Sequence, residues 1–144
     1  MFNALNISAT GLAAQRLRMD VISQNIANIN TTRTAEGGPY KRKVTLFREI
    51  PDQSFARYFQ NVLNRPVLGA GVRVSEIAPD NAPGGRVYEP GHPDADADGY
   101  VLMPNVNIVA EMVDMISASR SYEANVTALN SSKSMIAKTM EIGR

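Results

Sequence analysis

Cysteine and tryptophan are both missing from the 144 residues, and histidine occurs once. Without cysteine there is no disulfide framework, no thiolate metal site and no cysteine nucleophile. The single histidine, His92, lies in a Pro-flanked turn with no nucleophile motif near it, so a structural or solvated role is expected of it and not a place in a Ser-His-Asp arrangement. G-x-G-x-x-G, P-loop and H-E-x-x-H patterns are also missing, and neither enzymatic activity nor a cofactor is expected. Charge of one sign is lacking too: 15 basic and 14 acidic residues leave a formal net charge of +1. That is too little for the uniform field on which non-specific nucleic-acid binding depends. Neither a nucleic-acid partner nor a small-molecule substrate is expected. No run approaches the roughly 18 apolar residues of a membrane span. The start, Met1-Phe2-Asn3-Ala4-Leu5-Asn6-Ile7-Ser8, lacks the basic and apolar regions of a cleaved secretory signal. Aromatic residues make up only 6% of the chain, so any core is aliphatic and Met-rich.

Proline and glycine are unevenly placed. All eight prolines and eight of the ten glycines fall between Thr31 and Asn105, leaving only Gly11 and Gly143 outside. The two ends are therefore free to be helical and the middle is not. In the N-terminal segment, positions spaced by three and four read Leu5, Ser8, Leu12, Gln15, Met19, Ile22, Ile26 and Ile29, a coiled-coil type seam. A second, thinner set, Ala14, Leu17 and Val21, is turned roughly 140 to 200° from Leu12 around a helix. One partner helix cannot cover both, which favours completion by neighbouring chains.

The C-terminal alternation is longer: Ile108, Met112, Met115, Ser119, Tyr122, Val126, Leu129, Lys133, Ile136 and Met140. A helix of roughly 35 residues, on the order of 50 Å long, is predicted, with Asn105 or Asn107 as N-cap, Glu111 near the positive helix end and Gly143 as the stop. Such length points to a coiled coil or an extended assembly. The architecture expected is mainly α: two long terminal helices in an antiparallel coiled-coil-like pair, with a small β-rich, Gly/Pro-rich middle. The boundaries are 1–30 and 106–144 for the two helices of the core and 31–105 for the middle segment.

In the middle, Tyr40 to Phe47 and Gly71 to Ile77 read as short strands, the second alternating as Val72, Val74 and Ile77 with one slip. Asn81-Ala82-Pro83-Gly84-Gly85 and Glu89-Pro90-Gly91-His92-Pro93 read as turns. Asp94-Ala95-Asp96-Ala97-Asp98-Gly99 matches the first half of an EF-hand loop, but position twelve, where a bidentate Glu belongs, is Asn105. An Asx-turn loop is the expectation, and no metal. Three readings of Lys41-Arg42-Lys43 stay open: a phosphate or lipid patch, an edge strand kept from wrong pairing, or a basic element facing the Asp94, Asp96, Asp98 loop of another subunit.

Ser8-Ala9-Thr10-Gly11-Leu12-Ala13-Ala14-Gln15, followed by Asn25-Ile26-Ala27-Asn28-Ile29-Asn30-Thr31, resembles the N-terminal signature of the bacterial flagellar axial proteins, the rod, hook and hook-associated subunits. The stretches Val87 to Val101, Met103-Pro104-Asn105-Val106-Asn107, Glu111-Met112 and Ser117 to Val126, with Gly38-Pro39-Tyr40-Lys41-Arg42, are similar to the rod branch of that family, in the proximal rod. The resemblance implies a structural subunit exported through the flagellar type III apparatus without a cleaved signal peptide. It would polymerise in the periplasm as part of the basal-body drive shaft that passes torque from the rotor ring to hook and filament. Implied partners are copies of itself, other rod subunits and the export-gate or rotor-ring adaptor at the rod base. The assembly interface expected is Leu5, Leu12, Met19, Ile22, Ile26 and Ile29 on the first helix. On the second it is Ile108, Met112, Met115, Tyr122, Val126, Leu129, Ile136 and Met140. The competing reading from the residues is a soluble helical adaptor that binds partner helices one at a time.

Overall fold

Long uninterrupted helices form at both ends because neither end contains proline, and of their two glycines, Gly11 and Gly143, only Gly11 falls before the expected helix stop. The computed structural model describes residues 2–51 and 69–142. Within it, helix α1 spans Phe2–Ala27 and helix α2 spans Ile108–Ile142, the 35 residues the periodicity predicts. Asn107 is the N-cap of α2, its Oδ1 accepting the N–H groups of Val109 at 2.9 Å and Ala110 at 3.2 Å. Helix α1 closes in a turn in which Asn28 Nδ2 donates to the Gln24 carbonyl at 2.8 Å. Ile29 therefore lies past the helix end, half-buried. Gly143 lies outside the described residues.

The helices run antiparallel. Gly11 faces Asn125, Arg18 pairs with Asp114 at 2.9 Å, and Asn25 bonds Glu111 at 3.0 Å, so numbers fall along α2 as they rise along α1. Burial along α2 alternates by four and three through Glu111, Met115, Ala118, Tyr122, Asn125, Leu129, Ser132 and Ile136. Four of these are the expected apolar positions. Between them sit Glu111, Ala118, Asn125 and Ser132, where the sequence pattern had placed Met112, Ser119, Val126 and Lys133. Small and polar side chains thus take the innermost places, and Met112, expected in this seam, is exposed. The physical reason is close approach. A Cβ on Gly11 would stand 3.0 Å from Asn125 Oδ1, leaving no room there for a large residue.

Four strands occupy the described part of the middle: β1 (Lys43–Glu49), β2 (Val72–Pro79), β3 (Arg86–Tyr88) and β4 (Tyr100–Leu102). They form two antiparallel two-stranded sheets, β1-β2 and β3-β4. The slip in the Val72, Val74, Ile77 alternation is a β-bulge. Leu46 opposes Glu76 and Phe47 opposes Val74, leaving Ser75 as the extra residue, its hydroxyl donating to the Leu46 carbonyl at 3.0 Å. The β3-β4 hairpin, with three residues in each strand, was not predicted, although Tyr100-Val101-Leu102-Met103 is an apolar run.

Helix α1 crosses the β1-β2 sheet. Thr10 Oγ1 accepts the Val72 N–H on the outer edge of β2, and Asn25 holds Lys43 on the outer edge of β1. Fifteen helical residues, about 22 Å, separate the two anchors. Ala14 and Val21, assigned from sequence to a face awaiting neighbours, are consequently buried inside the chain, while Leu17 stays partly open. Among the described residues the buried apolar core is thin: Ala14, Val21 and Ile22 on α1, Ala118 on α2 and Val101 on β4.

Because Ala118 is completely enclosed, Ala118→Leu should overpack the helix pair and cost about 1–3 kcal/mol. Urea denaturation followed by circular dichroism measures it. An unchanged midpoint would mean that the two helices do not pack at this position.

Candidate functional site

Where the end of α1, the start of β1 and the start of α2 meet, the chain buries a polar cluster. Glu111, one turn into α2, is fully enclosed. Its Oε1 accepts from Arg42 Nε at 2.6 Å and its Oε2 from Asn25 Nδ2 at 3.0 Å. Asn25 is buried as well, and uses all four of its hydrogen-bonding positions. Besides Glu111, Nδ2 donates to the Lys43 carbonyl at 2.9 Å, and Oδ1 accepts from Lys43 N–H at 2.9 Å and from the Tyr40 hydroxyl at 3.0 Å. Its carboxamide therefore pairs with Lys43 as a neighbouring strand would.

A second asparagine acts in the same way one residue back. Asn105 Oδ1 accepts the Arg42 N–H at 2.9 Å while its Nδ2 donates to the Asp80 carbonyl at 3.1 Å. Asp80 N–H in turn donates to the Arg42 carbonyl at 2.7 Å. The Arg42 guanidinium reaches Asp114 at 3.4 Å and Asp80 at 3.9 Å, and Arg18 shares Asp114. Burial first, and the Glu111 carboxylate second, push the Tyr40 hydroxyl above the ordinary tyrosine range. The cluster joins α1, β1, β2 and α2 through directional bonds, each of which needs one register.

These residues had each been singled out in the sequence for another purpose: Asn105 as an alternative cap, Glu111 for the helix dipole, Arg42 as the middle of a basic triplet. Their convergence was missed. Asn25 and Glu111 each stand one residue before an expected seam position, Ile26 and Met112, so the apolar periodicity gave no signal of their burial.

The basic triplet is thereby divided. Arg42 belongs to the cluster, whereas Lys41 and Lys43 are exposed and β1 begins only at Lys43. Lys43 Nζ stands 5.9 Å from the Tyr40 ring centroid. The Asp94 to Gly99 stretch is the loop end of the β3-β4 hairpin. Asp96 Oδ1 accepts Tyr100 N–H at 2.9 Å, Asp94 Oδ2 accepts from the Thr32 hydroxyl at 2.8 Å, and Gly99 takes φ +76°. That is the Asx-type use of carboxylates on nearby donors. His92 Nδ1 accepts the Asp94 N–H at 3.1 Å, a turn contact. Among the described residues no three of His, Cys, Asp and Glu gather where a metal ion would sit.

Of the expected assembly positions, Ile22 is buried, and Leu5, Leu12, Met19, Ile26, Ile29, Met115, Tyr122, Val126, Leu129 and Ile136 are half-buried. Ile108, Met112 and Met140 are exposed. The first two belong to a larger outward apolar face on α2 that also takes in Val109, Val113 and Ile116, with Val109 66% and Val113 63% exposed. Residues 109, 113 and 116 follow helical spacing on the side away from Glu111 and Ala118. The sequence reading had passed over these three, although their spacing was there to be read. No helix of the described chain is long and apolar enough to cross a membrane.

Two predictions come from the cluster. Glu111→Ala leaves Arg42 and Asn25 facing each other without an acceptor, and should cost about 3 kcal/mol by urea denaturation; a loss below about 1 kcal/mol would show that the buried carboxylate organises nothing. Tyr40 adds a pH dependence. Its folded-state pKa is raised, so its contribution is fully present below the ordinary tyrosine pKa and is lost as pH rises through the folded value. Tyrosinate absorbance of the native protein, compared with Tyr40→Phe, should resolve one group titrating late, and earlier again in Glu111→Gln.

Comparison with known proteins places this geometry. Residues 97–142 match the family model described as flagellar basal body rod FlgEFG protein C-terminal, and residues 5–33 match flagella basal body rod protein. The chain is 49% identical over 148 residues to the flagellar basal-body rod protein FlgC of Borreliella burgdorferi, covering 99% of this chain and 97% of that one. It is 47% identical to that of Bacillus subtilis over 99% of this chain and 98% of the relative. With the Salmonella typhimurium protein it shares 40% identity, over 100% and 98% respectively. Similarity of this degree along the whole length of both partners means that the chain belongs to the FlgC family of flagellar basal-body rod proteins.

Proposed function

We propose that the chain is a non-enzymatic structural subunit of the flagellar basal-body rod. It polymerises into the helical drive shaft that passes torque from the rotor ring to the hook and filament. The observation that carries the reading is the outward apolar face of α2, Ile108, Val109, Met112, Val113 and Ile116, in a chain whose relatives are named rod proteins along their whole length. A face of this kind on a soluble protein is ordinarily covered by a partner. In the rod, those residues, with Met140 and the half-buried flanks of Leu5, Leu12, Met19, Tyr122 and Val126, pack on neighbouring subunits.

Segments 1–30 and 106–144 form the helical core of each subunit, the two helices engaging as a coiled coil, and segment 31–105 makes the outer contacts. Other rod subunits and the adaptor at the rod base are the remaining partners. The route is the type III export apparatus, without a cleaved signal, to the periplasmic rod. Stiffness under torque comes from close packing, since interlocked interfaces resist sliding.

Deleting the chain should abolish swimming and leave no assembled rod; complete basal bodies in a clean deletion would withdraw the proposal. In the deletion strain, Val126→Asp should fail to restore motility, because an uncompensated carboxylate in a packed interface costs several kcal/mol and recurs in every subunit. Asn130→Asp, on the exposed side of α2, should restore most of it.

A further inference from the structure

Outward main-chain groups without a partner among the described residues occur in both sheets. Asp80 N–H bonds the Arg42 carbonyl, so pairing alternates along β1 and turns the backbone groups of Lys43, Thr45 and Phe47 away from β2. Asn25 takes those of Lys43, whereas those of Thr45 and Phe47 meet no partner among the described residues. Beneath this edge runs a groove of about 230 Å³ lined by Arg18, Ile22, Thr45, Phe47 and Asp114.

In the hairpin, Glu89 N–H bonds the Gly99 carbonyl at 2.9 Å and Met103 N–H the Gly85 carbonyl at 2.8 Å. Arg86 and Tyr88 therefore face outward on β3, and Tyr100 and Leu102 outward on β4. The β4 edge is capped at Tyr100 by the loop, because Asp96 bonds both the carbonyl and the N–H of Tyr100 at 2.9 Å, which leaves Leu102 as a single outward residue there. The β3 edge is open at Arg86 and Tyr88. Among the described residues, Thr45 and Phe47 on β1 and Arg86 and Tyr88 on β3 thus each form a pair of outward residues with unpartnered main-chain groups, while on the outer edge of β2 the bulge at Ser75 interrupts the spacing between Val74 and Ile77.

Charge beside the two edges is complementary. Lys41 and Lys43 flank the start of β1, and Glu89 and Asp98 flank the loop end of β3. All four are exposed, and none has an ion-pair partner among the described residues.

We propose that the open edge of β1 receives strand β3 of a second copy, antiparallel, forming a four-stranded sheet in the order β2-β1-β3-β4 across the interface. Main-chain bonds at Thr45 and Phe47 meet those at Tyr88 and Arg86. The antiparallel sense places Glu89 and the acidic loop beside Lys41 and Lys43, and the parallel sense would take them to the far end. Asn25 ends the added strand at Lys43. Because the two edges differ, the contact is heterologous and does not close on a pair, so it suits an open helical polymer. The inference rests on the rod-subunit reading for the presence of a second copy.

The absence of cysteine gives a clean test. Cells carrying Thr45→Cys and Tyr88→Cys copies together should yield a disulfide-linked dimer in isolated basal bodies on mild oxidation. Either variant alone, and Thr45→Cys with Leu102→Cys on the capped edge, should yield at least tenfold less. No link between Thr45→Cys and Tyr88→Cys, or an equal one with Leu102→Cys, overturns the pairing. Thr45→Pro removes only an outward N–H, which an edge strand tolerates. The purified variant should keep its circular dichroism while swimming falls at least tenfold. A deletion strain restored to full swimming by Thr45→Pro would mean that the lysines guard a free edge; that sinks the edge pairing and leaves the rod reading intact.

Discussion

The carboxamide of Asn25 is the contact on which the rest depends. It bonds a strand through Lys43, a tyrosine through Tyr40 and the opposite helix through Glu111, with no donor or acceptor left over. A fully satisfied buried network of this kind specifies one arrangement, because any slip of a helix or strand leaves buried groups unpaired at full desolvation cost. The apolar core could not do this alone, since Ala14, Val21, Ile22, Val101 and Ala118 tolerate small shifts that directional bonds do not.

Among the described residues few apolar side chains are fully buried, and that division of labour suits such a core. Buried ion pairs such as Arg42 with Glu111 contribute weakly to net stability, and more to register. Much of the apolar surface at the start of α2 faces outward, at Ile108, Val109, Met112, Val113 and Ile116. The polar cluster fixes where that face stands relative to α1 and β1.

The two sheets extend the same logic. Side chains from α1 close the strand ends at Val72 and Lys43, and the hairpin loop closes β4 at Tyr100, while the middles of β1 and β2 and the edge of β3 meet no main-chain partner among the described residues. Natural edge strands are usually blunted. Here blunting is selective, and the openings that remain differ in charge as well as in sheet.

Helix extent was legible in the sequence because proline, glycine and three-four apolar spacing are local signals: α2 was expected at about its observed length, and the slip after Val74 was already the bulge at Ser75. Family membership was likewise carried by contiguous motifs. Which side of each helix is innermost was not legible, for two reasons. Close approach at Gly11 excludes the large residues that periodicity counts, and the β1-β2 sheet supplies a second partner for α1 that no helical pattern announces. Nor could periodicity reveal that Asn25, Tyr40, Arg42, Asn105 and Glu111 meet. They are up to 86 positions apart, and their bonds exist only once the antiparallel pairing and the strand crossing have brought them together.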